Sequence, residues 1–232
     1  MSFFETIAIR RARPLFAAGH LDRLARAVGS VGGRFDAVEL ASVVEVLSRD
    51  LADGLLRIYV TAGAGAIGDR FLGDVILIFE SMEVGAGFSP LRMAVSGLPY
   101  VPRPGGWKSG NYWQNADALV AARRAGCDEA LLFNPAGGLA SAATANVFLK
   151  VEGRWVTPAV GAGARDGVVR EWVMERFGCG EGELGYEDVT RCSSCCVTSS
   201  RVGIRSVAEL DGRRLVIDGE WEAVYRGEVL GD

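Results

Sequence analysis

Only positions 108 and 150 carry lysine among the chain's 25 basic residues; the other 23 are arginine. Arginine serves as the surface cation almost everywhere, so a retained lysine points to chemistry that arginine lacks. A guanidinium stays protonated and forms no imine, whereas a lysine amine can lose its proton and condense with a carbonyl. Lys108 lies between Pro102-Arg-Pro-Gly-Gly-Trp107 and Ser109-Gly-Asn-Tyr112, at a loop-to-helix junction of the kind that often holds functional groups. Lys150, in Phe148-Leu-Lys150-Val-Glu-Gly153, is accounted for as an exposed charge at a strand end.

A place for an anion lies further along. Asp166-Gly167-Val168-Val169-Arg170 opens a helix, with Asp166 read as its N-cap, and a helix start offers free N–H donors and a favourable dipole. Thr198-Ser199-Ser200, at a strand end, adds hydroxyl and backbone donors, and Arg57 on a strand adds a positive charge. Each has a plain alternative: Val168 and Val169 as core, Thr198 as a strand end, Arg57 as a surface ion pair. Gly63-x-Gly65-x-x-Gly68 has the spacing of a dinucleotide fingerprint. No helix follows it, and Asp69-Arg-Phe-Leu-Gly-Asp74 leads into another strand, so it reads as a hairpin-like connection. Cys192-Ser-Ser-Cys195-Cys196 lacks two further ligands at suitable spacing, and His20 is the single histidine. Cys195 and Cys196 read as small buried strand residues, and five cysteines do not suit a disulfide framework.

The elements that must position these groups follow from periodicity. Strands are predicted at 3–9, 55–61, 74–80, 91–95, 129–134, 145–151, 154–157, 195–198 and 214–218. Helices are predicted over 20–28, 37–51 with Gly54 as the stop, 111–125, and from Asp166 to Phe177. A turn-rich stretch, Val84-Gly-Ala-Gly-Phe-Ser-Pro90, divides a small N-terminal domain (1–83) from a larger domain (91–232), with 84–90 as linker. Strands and helices do not alternate regularly, so an α+β fold is expected.

Composition narrows the function classes. At 232 residues, nearly half of them hydrophobic, the chain can bury a substantial core. A net charge of −4 gives no reason to expect nucleic acid or an anionic membrane as partner. No apolar run reaches bilayer-spanning length, and Met1-Ser-Phe-Phe-Glu-Thr-Ile7 lacks the pattern of a secretory signal, so a cytoplasmic protein is expected.

Taken in order, these segments resemble the fold type IV (class IV) family of aminotransferases dependent on pyridoxal 5′-phosphate (PLP). The group includes branched-chain and D-amino-acid aminotransferases and 4-amino-4-deoxychorismate lyase. Phe4-Glu5-Thr6-Ile7, His20-Leu-Asp-Arg-Leu24, Arg57-Ile-Tyr-Val-Thr61, Lys108-Ser-Gly-Asn-Tyr112, Gly126-Cys-Asp-Glu-Ala-Leu-Leu132, Ala145-Asn-Val-Phe148, Gly167-Val-Val-Arg170, Thr198-Ser199 and Gly203-Ile-Arg-Ser-Val207 each match a family segment. The resemblance implies a small N-terminal α/β domain, a larger β-rich domain and PLP between them, in a homodimer that takes a small-molecule amine. It implies Lys108 as the Schiff-base lysine and Tyr112 beside the ring oxygen. Arg57, Val168, Val169, Thr198 and Ser199 are implied at the phosphate.

Two departures bear on mechanism. The chain begins almost at the phenylalanine-glutamate-threonine segment, where the family has a preceding strand, so part of the small domain is expected to be missing. Five residues before Asn146, where the family carries a glutamate that pairs with the pyridine nitrogen, stands Ser141. A carboxylate there keeps the nitrogen protonated and strengthens the electron sink; a hydroxyl is neutral. This favours a lyase similar to 4-amino-4-deoxychorismate lyase, releasing pyruvate to give 4-aminobenzoate for folate synthesis. A class IV amino-acid aminotransferase of branched-chain or D-amino-acid type, and a PLP-fold protein without activity, remain as alternatives.

Overall fold

The computed structural model describes residues 1–51, 53–63, 74–82, 84, 89–102 and 106–232. They form two compact units, Met1–Ala86 with Trp107–Asn111, and Gly87–Gly106 with Tyr112–Asp232. Most of the Gly63–Gly68 loop and residues 85–88 of the expected linker lie outside the described residues.

The first unit is built on an antiparallel sheet. Strands β1 (Ser2–Arg10), β2 (Arg13–Pro14), β3 (Gly54–Thr61) and β4 (Asp74–Ser81) take the order β2-β1-β3-β4. Arg11 and Ala12 adopt positive φ of 51° and 59° and reverse the chain between β1 and β2, as a two-residue hairpin requires. Helices α1 (Ala17–Gly29) and α2 (Ala37–Asp50) supply the remaining core. Phe3, Ile7 and Ile9 of β1 and Leu56, Ile58 and Val60 of β3 bury with Leu21, Leu24 and Val28 of α1 and Leu40 and Val44 of α2. The Asp36 carboxylate caps α2 by accepting from the Glu39 amide at 2.8 Å. Gly54 is not the stop of α2, which ends at Asp50; it opens β3. A Cβ there would lie 2.5 Å from the Glu80 carbonyl oxygen and 2.6 Å from the Phe79 ring, so glycine is needed for strand approach.

The second unit holds a mixed sheet. Its strands are β5 (Leu91–Val95), β6 (Glu129–Phe133), β7 (Leu139–Ala142), β8 (Asn146–Val151), β9 (Arg154–Pro158), β10 (Gly180–Gly182), β11 (Ser194–Ser199), β12 (Gly203–Leu210) and β13 (Arg213–Arg214). The order is β10-β9-β8-β11-β12-β5-β6-β7, with β13 beside β12. Helices α3 (Trp113–Arg124), α4 (Val168–Phe177), α5 (Tyr186–Arg191) and α6 (Glu220–Tyr225) complete the unit. Leu131, Leu139, Val147, Leu149, Val197 and Val207 form its centre. Cys195 and Cys196 are buried in β11, in keeping with their reading as small core residues.

Two further local expectations are corrected. Asp166 is not the N-cap of α4; Gly167 is, with no side-chain cap. The strand expected over 214–218 shrinks to Arg213–Arg214. Beyond it the Leu215 amide still reaches the Ala208 carbonyl at 2.9 Å, but the Val216 amide turns to the Ser193 carbonyl at 3.0 Å, which ends the pairing with β12. Among the described residues no helix is long and apolar enough to cross a membrane.

Candidate active site

In the first unit the Lys108 segment is laid against the start of β1. The Phe4 amide donates to the Lys108 carbonyl at 2.8 Å, the Gly110 amide donates to the Ser2 carbonyl at 2.9 Å, and Phe3 and Ser109 form an antiparallel bridge. A Cβ on Gly110 would lie 2.3 Å from the Ser2 hydroxyl, so this approach needs a glycine.

Strand alternation then decides what Lys108 meets. Phe3, Glu5 and Ile7 point to the helices and are buried; Phe4 and Thr6 point the other way and are half-buried. The Lys108 Nζ lies 3.4 Å from the Thr6 hydroxyl and 4.8 Å from the Phe4 ring centroid. Across the sheet Phe4 faces Tyr59, with ring centroids 5.4 Å apart, and Thr6 faces Arg57. Lys108, Thr6 and Arg57 therefore share one face. The Arg57 guanidinium donates to Glu80 on β4 at 3.0 Å, with both side chains about 40% exposed. An exposed pair of this kind contributes little stability, about 0–1 kcal/mol, and costs correspondingly little to exchange.

On the opposite face of β1 sits an ionic triad. Arg23 of α1 donates through Nε and Nη2 to the two Glu5 oxygens at 2.7 and 2.6 Å, and His20 Nδ1–H donates to Glu5 at 2.7 Å. All three side chains are buried. Burial alone would raise the Glu5 carboxyl, but the Arg23 charge and the hydrogen bonds from His20 and Arg23 outweigh it and hold it far below the ordinary carboxylate range. Burial lowers the His20 pKa, so the imidazole is neutral. The triad ties β1 to α1 directly behind the residues that meet Lys108.

In the second unit Asn146, first residue of β8, organises the remaining groups. It stands opposite Thr198 of β11 in the sheet register. Its Nδ2 donates to the Arg165 carbonyl at 2.7 Å, and a Cβ on Gly167 would come within 2.0 Å of its Oδ1. Asn146 thereby links the end of β11 to the start of α4. Val168 and Val169 in the first turn of α4 have buried side chains, and no side chain caps that turn. The Thr198 hydroxyl is buried and has no hydrogen-bond partner among the described residues. Such a group costs about 1–3 kcal/mol unless something satisfies it. The Ser199 hydroxyl accepts from the Val202 amide at 3.4 Å, closing the turn after β11.

Ser141 lies buried on β7 and donates its hydroxyl proton to the Ala145 carbonyl at 2.9 Å. The turn between them is held by Glu129 of β6, which accepts from the Thr144 amide at 3.2 Å and from the Thr144 hydroxyl. Burial raises the Glu129 pKa against these hydrogen bonds. Tyr112, immediately before α3, lies under the Arg165 guanidinium, whose carbon is 5.0 Å from the ring centroid. Thr6, Glu129 and Arg165 were not singled out by sequence reasoning. Glu129 and Thr6 lay within recognisable segments, but only the folded neighbours show what they do.

The two units offer separate chemistry. In the first, Lys108 carries a primary amine of the kind that condenses with an aldehyde. In the second, the unsatisfied Thr198 hydroxyl, beside the side-chain-uncapped start of α4, suits an anion such as a phosphate.

Known structures share this architecture. A putative 4-amino-4-deoxychorismate lyase from Legionella pneumophila superposes with a TM-score of 0.86 at 21% identity, covering 96% of this chain and 88% of that one. The branched-chain aminotransferase of Thermoproteus uzoniensis, solved with norvaline, gives 0.87 at 23% identity, covering 99% and 86%. A branched-chain amino acid aminotransferase of T.th., complexed with N-(5′-phosphopyridoxyl)-L-glutamate, gives 0.85 at 22%, covering 100% and 85%. At these identities they establish the fold. A putative branched-chain-amino-acid aminotransferase of Methanocaldococcus jannaschii is 27% identical over 184 residues, so the match takes in 74% of this chain and 64% of that protein's length. The family model for amino-transferase class IV, whose members depend on PLP, matches residues 2–210, and the chain belongs to that family.

Proposed function

We propose that this chain is a PLP-dependent lyase of the 4-amino-4-deoxychorismate lyase type. The observation that carries the choice is Ser141. Position 141 bears a buried, neutral hydroxyl where the family pattern has a carboxylate.

PLP, when bound, supplies an electron sink for the negative charge left on the substrate's α-carbon. Lys108 would hold the cofactor through its amine, and that amine would take the proton from the substrate's α-carbon. The Thr198 hydroxyl and the Val168 and Val169 amides would bind the phosphate, with Ser199 shaping the turn beside them. By the family pattern Arg57 would add positive charge, giving up Glu80 for the phosphate. By the family pattern Tyr112 would lie beside the ring oxygen of PLP and Ser141 beside its ring nitrogen. A hydroxyl there does not enforce protonation as a carboxylate does. That favours reactions in which the electrons depart with a β-substituent. With the α-proton removed, the carbon–oxygen bond to the enolpyruvyl group would break and complete the aromatic ring of the amine, and the departing enolpyruvate would take up a proton to become pyruvate.

The second reading is an amino-acid aminotransferase, favoured by the relative from M. jannaschii. The two separate cleanly. Supplied with aminodeoxychorismate, the protein is expected to release pyruvate. Supplied with amino donors and 2-oxoglutarate, it is expected to form little glutamate. Glutamate formation without pyruvate release would reject the lyase in favour of the aminotransferase.

A further inference from the structure

We infer that Arg165 is a binding residue for a carboxylate of the amine substrate, set ready by stacking on Tyr112. The inference rests on the cofactor reading above and adds a residue and a ligand chemistry to it.

Arg165 lies in the loop before α4, and its backbone is fixed from two sides. Its carbonyl accepts from Asn146 Nδ2 at 2.7 Å. Gly106, at φ 63°, closes against the loop: a Cβ there would lie 3.2 Å from the Ala164 carbonyl oxygen and 3.7 Å from the Arg165 Cα. The half-buried guanidinium stands over the Tyr112 ring at 5.0 Å. A contact of this kind holds the cation over a ring face without using up its N–H donors. Among the described residues no carboxylate pairs with that fork and no acceptor takes a hydrogen bond from it. Arg170, on α4 itself, shows the contrast. It is buried and spent on the Pro158 carbonyl at 3.0 Å and Glu181 at 2.6 Å.

A positioned guanidinium with no partner for its N–H groups among the described residues matches a planar carboxylate, which takes two parallel N–H bonds. The other anion in such a site is the cofactor phosphate. Thr198 and the start of α4 already provide donors for it. Arg165 instead stands over the Tyr112 ring with its N–H groups unused among the described residues, which leaves its charge for the substrate.

The test is a titration of holoenzyme, wild type, Arg165→Gln and Arg165→Lys, with 2-oxoglutarate, pyruvate and 4-aminobenzoate by calorimetry. PLP affinity is measured in parallel from visible absorbance, and folding from thermal melts. Arg165→Gln is expected to weaken binding of at least one of these carboxylates by about tenfold or more, the scale of a lost charge-assisted pair. PLP affinity should stay within about twofold over the same series. Arg165→Lys should recover part of the loss, because it keeps the charge and loses the fork. Unchanged affinity for all three carboxylates in a PLP-binding Arg165→Gln protein would overturn the inference and leave the cofactor reading intact. A parallel fall in PLP affinity would also overturn it, by moving the charge to the phosphate. A wild type that takes up no PLP overturns both readings.

Discussion

The Phe4 amide donates a 2.8 Å hydrogen bond to the Lys108 carbonyl, and the Phe4 ring lies 4.8 Å from the same lysine's ammonium. One residue of β1 therefore holds the backbone of Lys108 and also faces its side chain. Thr6 adds the hydroxyl contact at 3.4 Å. Thr6→Val keeps the shape and removes that contact. It should leave the thermal stability of the protein within about 0.5 kcal/mol of wild type, as expected for a side chain only half-buried. It should also shift the pH at which the visible absorbance of the PLP-loaded protein changes. An unaltered pH titration would mean that Thr6 does not act on the Lys108 amine.

Thr198→Val separates cofactor binding from folding. The hydroxyl is buried and unsatisfied among the described residues, so replacing it by a methyl of the same shape removes a desolvation cost. The PLP-free protein should be as stable as wild type, or more stable by about 1 kcal/mol. PLP should bind more weakly by about tenfold to a hundredfold, the range for a lost hydrogen bond to a charged group. Chemical denaturation and a PLP titration measure the two effects on one sample.

Gly167→Ala tests the link from β8 to α4. The added Cβ would meet Asn146 Oδ1 at 2.0 Å, so Asn146 or the helix start must move. The cost should be about 1–3 kcal/mol of stability, as for other overpacked sites. PLP affinity should fall with it, because the α4 amides shift. An alanine variant with wild-type stability and wild-type PLP affinity would contradict the geometry at Gly167.

The buried triad makes acid stability predictable in sign. His20 and Glu5 both have lowered pKa values in the folded protein. In each case the unfolded chain takes up the proton first, so the contribution is complete at higher pH and drains away on acidification. Stability should begin to fall as pH drops below ~6.5, the unfolded histidine value, and fall more steeply below ~4.3, the unfolded glutamate value. His20→Asn should remove the first portion and keep the second. Glu5→Gln leaves Arg23 buried without a countercharge and should cost about 3–5 kcal/mol at neutral pH. Denaturant midpoints across pH 3–8 read both outcomes.

Much of this was legible in the sequence, for identifiable reasons. Lys108 stood out because arginine replaces lysine nearly everywhere else. Ser141 was located by counting back from Asn146, which needs no coordinates. The amphipathic faces of α1 and α2 and the alternation in β1 fixed those elements. What escaped were relationships across long chain separations. Thr6 and Lys108 are 102 positions apart, and no local pattern pairs them. Asp166 has the chemistry of an N-cap, yet Asn146 packs against Gly167 and the helix begins one residue later. The small residues of β7, Leu-Ala-Ser-Ala, carry no β-branched or aromatic signal. Its strand character comes from pairing with β6, where Ser141 stands opposite Leu132.

The central claim is that Lys108 carries the cofactor, and the lysine content of the chain makes its test clean. The protein is loaded with PLP, reduced with borohydride, digested and examined by mass spectrometry. Only Lys108 and Lys150 can be labelled on a side-chain amine. Lys150 is held by Asp218 at 2.8 Å on β8. A phosphopyridoxyl group on the peptide bearing Lys108, absent in Lys108→Ala, is the predicted result. Label on the Lys150 peptide alone, or no label at all, would contradict the account.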